Sequence, residues 1–239
     1  VSMVGFDSGK QTERELDNKP KQDIPANLSS GLDITASSRL LANAETGFIG
    51  VSMHGSFDME EISGLEILNE GGNPNLKPNS DVLRPVLNAI EITKKGERRW
   101  LVSFPPNGKL EAAAGYAAPM KFVRKNVYPE REKNHRKTYR DPWWIPSDTR
   151  PAMPTALARL TRFIATPRVS KHRVFVWIRP ECLPSDATVA FASSDDFLFG
   201  LLHSRFHEVW ALAQGTQLRE KESGFRYTPT TCFETFPFP

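Results

Sequence analysis

Segments with strand and helix character alternate along this chain, yet never at the spacing that repeated β-α-β units require. That irregularity constrains the fold more than any other feature. Strand-like runs occupy 47–53, 99–104, 162–166, 173–178 and 189–192, most of them bounded by Gly or Pro. Helical patterns occupy 32–43, 60–70, 110–118, a stretch from Pro119 to 132, and 196–214. The last is the clearest. Ser194 or Asp195 can cap it, Gly215 stops it, and Phe197, Leu198, Leu201, Leu202, Phe206, Val209, Trp210 and Ala213 predict a core-facing stripe. The class expected is α+β, a mixed β-sheet with packed helices.

A hydrophobic fraction of 39% supplies enough apolar material for a core within 239 residues. No apolar run approaches the roughly 18–20 residues of a membrane span, and the start lacks the basic and apolar regions of a signal peptide. A cytoplasmic chain without membrane contact is expected. The strand-like opening at 1–6 and the aromatic close at 233–239 suggest a piece cut from a longer polypeptide, read as one recognition domain over 1–239. Residues 7–30 are polar and poor in aromatics, the composition of a variable surface loop. Two cysteines, Cys182 and Cys232, are too few for a disulfide framework and are expected to be reduced.

The net charge of +3 says little, but the basic residues are clustered. Lys121, Arg124, Lys125, Arg131, Lys133, Arg136, Lys137 and Arg140 fall within twenty residues, with Tyr128, His135 and Tyr139 among them and Trp143-Trp144 following. Such a stretch suits a polyphosphate backbone, whose released counterions supply affinity without sequence preference. A solvated helix face with the tryptophans in the core is the plainer alternative. A second basic spot, Arg168, Lys171, His172 and Arg173, lies on the connection between two strands. Long donors on a short loop can reach base edges, although a polar hairpin loop has the same composition.

Catalytic sets are absent from the sequence. Phe104-Pro105-Pro106-Asn107 carries the letters of the adenine-methylase tetrapeptide Asn-Pro-Pro-Tyr/Phe in reverse, an order that cannot clamp a flipped base and reads as a turn. Residues 50–55 lack a phosphate-cradling glycine pattern. His203 and His207 share a helix face, but no Glu follows His203, so structural histidines are expected and no metal.

Several segments taken together resemble one family. They are Ser2-Met3-Val4, Asn73-Pro74-Asn75, the run from Lys77 to Pro85, Trp143-Trp144, the run RVSKHRVFVW at 168–177, HSRFHEVWALAQG at 203–215 and RYTPTTCFETFPFP at 226–239. The chain is similar over nearly its whole length to the large class I S-adenosylmethionine-dependent DNA methyltransferases, which include the fused, MmeI-like type II restriction–modification enzymes. Only 7–30 departs noticeably. The resemblance implies a target-recognition domain that reads double-stranded DNA and positions a target adenine. An upstream domain of the same polypeptide would bind S-adenosylmethionine and methylate that base; no cofactor is expected in this chain itself.

On that resemblance the strand-joining loop becomes the base reader, through Arg168, Ser170, Lys171, His172 and Arg173. Lys121, Arg124, Lys125, Arg136, Lys137, Arg140 and Arg226 become backbone-phosphate contacts. Tyr227-Thr228-Pro229 either anchors the domain or touches phosphate. The competing function is a protein-interaction module of a phage-defence complex, without direct base readout.

Overall fold

The computed structural model describes residues 5, 8–9, 12–22, 24, 37–94, 96–217 and 224–239. The chain divides into two compact units, Val1–Ser38 and Arg39–Pro239. In the first, β1 (Arg14–Leu16) and β2 (Lys19–Lys21) form an antiparallel hairpin within the polar stretch expected to be a loop. Asp17 and Asn18 turn the chain with φ of 53° and 59°, the left-handed pair that a two-residue hairpin loop needs. The strand expected over 1–6 lies almost entirely outside the described residues, as do residues 32–36 of the helix expected over 32–43; of the rest, 37–40 take no helical turn and Leu41–Asn43 is a single 3-10 turn.

The second unit runs β3 (Gly47–Ile49), β4 (Asp58–Glu60), α1 (Glu61–Asn69), β5 (Leu83–Leu87), α2 (Ala89–Thr93), β6 (Arg99–Val102), α3 (Leu110–Ala114), α4 (Ala117–Asn126), α5 (Tyr128–Arg131), α6 (Lys137–Arg140), α7 (Ala152–Leu157), β7 (Phe163–Pro167), β8 (Val169–Ser170), β9 (Val176–Ile178), β10 (Leu183–Pro184), β11 (Thr188–Phe191), α8 (Asp196–Leu202), α9 (Arg205–Gln214), β12 (Thr216–Gln217) and β13 (Phe225–Arg226). Its sheets have the orders β10-β5-β6-β4, β3-β11-β7-β9 and β12-β13-β8. Every pairing is antiparallel except β10 with β5. The α+β class and the mixed sheet with packed helices are both present. Among the described residues no helix is long and apolar enough to cross a membrane.

The sheet β3-β11-β7-β9 is apolar on both faces. Phe163 and Ala165 of β7, with Ala190 of β11, join a core that includes β5, β6, α4 and Trp143. Ile164, Val189 and Phe191 point the other way, into a second core with Leu202, Ala211, Phe225, Tyr227 and Phe233. Successive strand residues face opposite sides, so burial on both sides demands a strand buried at all of its residues, as β7 is, with Thr166 its one polar side chain.

Three expectations are corrected. The helix expected over 196–214 is two helices, because Ser204 leaves helical geometry and caps α9, its hydroxyl accepting from the His207 amide at 3.3 Å. The break changes which face is inward: His207 and Ala211 are buried, while Phe206 (83% exposed) and Val209 of the predicted stripe face solvent. The helix expected over 110–118 ends at Ala114, and the next starts at Ala117 with Pro119 inside its first turn. Last, the connection at 167–172 is not a plain hairpin loop, since β8 forms within it and pairs with β13.

Helix α1 packs through a gap rather than a side chain. A Cβ on Gly64 would stand 2.3 Å from Cγ of Trp100 on β6. Gly64→Ala is therefore expected to destabilise the chain by about 1–3 kcal/mol through overpacking. Helix propensity alone would have alanine stabilise by roughly 1 kcal/mol, so the sign of the shift in urea midpoint decides the matter.

Candidate nucleic-acid interface

Sheet register assembles the site. Antiparallel β7 and β11 pair Pro167 with Thr188, so the next residues outward, Arg168 and Ala187, face each other, and the Arg168 amide donates to the Ala187 carbonyl at 2.8 Å. Strand β13 places Arg226 opposite Val169. These elements and Ala89 border an open surface cavity of about 220 Å³ lined by Arg168, Val169, Asp186, Ala187 and Arg226. Arg168 donates from Nη1 to the Asp186 carbonyl at 3.4 Å, and its buried Nε has no hydrogen-bond partner among the described residues. The Asp186 carboxylate accepts from the Ser52 hydroxyl at 3.0 Å. Arg168, Arg226 and Asp186 thus line one opening, with the Asp186 main chain bonded to Arg168 and its carboxylate to Ser52.

Beyond β8, Lys171 and His172 are exposed, and Ser170 donates from its hydroxyl to the His172 carbonyl at 2.6 Å. The loop is held close to β13 by Gly224, whose φ is 83°; a Cβ there would lie 2.2 Å from the Ser170 carbonyl oxygen. Only glycine fits that pinch.

Arg173 is placed differently from its expected neighbours, with its guanidinium turned into the protein. Nη1 donates to the Pro167 carbonyl and to Thr166 Oγ1, Nη2 donates to the Phe225 carbonyl, and the group lies 4.5 Å from the Phe225 ring centroid and 5.1 Å from that of Tyr227. Burial lowers its pKa to about 10, which leaves it charged at neutral pH. Tyr227 is also fully buried, so of its two open roles the geometry supports anchoring.

The basic stretch divides by orientation. On α4 the buried Ala118, Pro119, Met120 and Val123 face the core, which turns Lys121, Arg124 and Lys125 together to solvent. Arg136 and Lys137 are exposed, and Arg140 stands 3.6 Å from Asp141. Arg131 does the opposite. At 1% exposure it donates to the carbonyls of His54, Met53 and Tyr139 and fastens the stretch to the core. Trp143 is buried and receives Arg124 at 5.7 Å over its ring. None of Lys121, Arg124, Lys125, Arg136, Lys137 or Arg140 lines the Arg168 cavity, whereas Arg226 does.

Asp186 was not anticipated. A lone acid in a turn carries no signal of its own, and only the β7–β11 register brings it beside Arg168. Both cysteines are free thiols, Cys232 buried and Cys182 half-buried.

The family described as "MmeI, target recognition domain" matches residues 67–239. No curated protein matches the chain. Among solved structures, one of the type IIL restriction-modification enzyme MmeI in complex with DNA is similar in fold, with a TM-score of 0.67 and 17% identity over 92% of this chain. The match spans 29% of that enzyme, under a third of its length.

Of the two helix histidines, His207 acts as a buried structural link. His207 lies 3.1 Å from the Leu202 carbonyl through Nδ1, which must therefore carry the proton; Nε2 then accepts from the Tyr227 hydroxyl at 3.0 Å. Burial lowers its pKa to about 4, and the charges of Arg173 and His203 push the same way against the Leu202 carbonyl. An unfolded chain takes up this proton near pH 6.5, so between 6.5 and 4 the unfolded state binds more protons. Stability from this group is complete above 6.5 and falls as pH drops towards 4, at up to about 1.4 kcal/mol per unit. Chemical denaturation of the unaltered chain and of His207→Gln at pH 7, 6 and 5 should show their stability difference shrinking as pH falls.

Proposed function

Because the chain belongs to the MmeI target-recognition domain family, as the match over 67–239 shows, we propose that it grips duplex DNA and reads base edges at the Arg168 cavity. The observation that carries this reading is the convergence of Arg168 and Arg226 with Asp186 at one opening. Arginine pairs with the O6 and N7 acceptors of guanine, and a carboxylate accepts from cytosine N4, so the pair of groups suits a G·C edge. Lys171, His172 and Ser170 stand at the rim of the same loop and reach the neighbouring base pairs.

Grip comes from elsewhere. The outward face of α4, with Lys121, Arg124 and Lys125, and then Arg136, Lys137 and Arg140, contacts phosphates and holds the register. The reaction belongs to a methyltransferase domain of the same polypeptide, which binds S-adenosylmethionine, the source of the methyl group, and meets the few kcal/mol of adenine extrusion. This chain's part is to hold the duplex so that the target adenine falls at that domain.

Binding of the full-length protein to duplexes selected from a randomised pool, followed against salt, tests the proposal. Replacing Lys121, Arg124 and Lys125 together by Gln should flatten the log–log salt slope by roughly 0.9 for each phosphate no longer neutralised, and leave the preferred sequence unchanged. Arg168→Ala should cost about 1–3 kcal/mol on the preferred duplex and little on a mismatched one. Salt-insensitive behaviour with no selected sequence would support the interaction-module reading instead, which has the exposed Phe197, Phe206, Val209 and Leu212 of α8 and α9 in its favour.

A further inference from the structure

The Arg173 fork bonds two carbonyls whose positions in the chain are telling. Pro167 is bonded to Arg168 and Phe225 to Arg226, so each carbonyl belongs to the peptide unit that carries a cavity arginine. We propose that Arg173 is a positioning residue that never meets DNA: by bridging these two peptide units it sets the spacing of Arg168 and Arg226 across the cavity. The inference rests on the DNA-reading proposal and assigns Arg173 a role different from that of its neighbours on the loop.

Three features support it. The two carbonyls come from β7 and β13, strands of different sheets, and the Arg173 fork spans them. The fork is planar and rigid, which fixes the distance between its two acceptors; a lysine ammonium is a point donor and cannot bridge both at set geometry. The rings of Phe225 and Tyr227 close over the guanidinium and shield it. The backbone adds one further tie, since the Tyr227 amide donates to the Arg168 carbonyl at 2.7 Å. Thr166 completes the seat: Oγ1 accepts from Arg173 at 3.2 Å and donates to the Val174 carbonyl at 2.8 Å.

Arg173→Lys, Arg173→Gln and Thr166→Val in the full-length protein test the assignment. The probes are a duplex that the unaltered protein selects from a randomised pool and a random-sequence duplex as its control. A positioning role predicts that Arg173→Lys lowers the affinity ratio between the two at least tenfold, and that Arg173→Gln, which removes the charge, leaves the salt slope as it was, because every phosphate remains neutralised by other residues. Thr166→Val, which keeps the shape but removes one of the Arg173 bonds together with the hydroxyl's own bond to the Val174 carbonyl, should lower the ratio less and again leave the slope alone. A slope shallower by about 0.9 in Arg173→Gln, which removes the charge that Arg173→Lys keeps, would mean that the guanidinium touches a phosphate, and overturns the proposal. Undiminished discrimination alongside a lower melting temperature also overturns it, since that is the signature of a purely structural bond. Should Arg173→Lys or Arg173→Gln fail to fold, Thr166→Val decides by the same two readings. If the unaltered protein selects no duplex, the DNA-reading proposal falls and this one with it; if it does and all three variants discriminate as it does, only this one falls.

Discussion

Burial of one sheet on both faces is the constraint on which the rest of the second unit depends. Strands β7 and β11 each send alternate residues into different cores, Phe163, Ala165 and Ala190 to one side and Ile164, Val189 and Phe191 to the other. A slip of one residue would exchange the two sets and push Phe163 into the space shaped for Ile164. Register is therefore fixed by packing, and the sheet's end inherits that precision. Arg168 and Ala187 face each other because Pro167 and Thr188 cannot pair otherwise.

The same residue type does opposite things across the domain, and placement decides which. Lys121, Arg124 and Lys125 lie on the outer side of an amphipathic helix, where their charge is open to counterions. Arg131 and Arg173 are interior groups that satisfy backbone carbonyls from separated segments. A buried cation is costly unless its donors are used, and both guanidinium groups are held by several acceptors and covered by aromatic rings, although Arg173 Nε meets no acceptor among the described residues.

Much of the fold was legible in the sequence. Strand patterns at 47–53, 99–104, 162–166, 173–178 and 189–192 all contain strands. Strand β5 was hidden by Pro85, which argues against a paired strand. It is tolerated because β10 joins β5 only from Val86 onward, leaving the proline bonded on one side. The break between α8 and α9 was hidden for another reason: apolar residues continue across it, and the inward turn of His207 depends on the acceptor and donor that Leu202 and Tyr227 present. At the site, the loop 167–173 could be picked out by composition. That Arg173 points inward and that Asp186 joins Arg168 are consequences of pairing between segments far apart in the chain.

The pairing of β3 with β11 also bears on how the chain comes to fold. Ile49 meets Val189, about 140 residues further on. At a synthesis rate of roughly 5–20 residues per second, the first of these strands waits for about 7–28 seconds before its partner is made. During that interval Phe48 and Ile49 have no sheet to join, and the core that needs both strands stays open. Assembly of the central sheet is thus a late, nonlocal event, slow by topology and exposed to wrong associations while it waits.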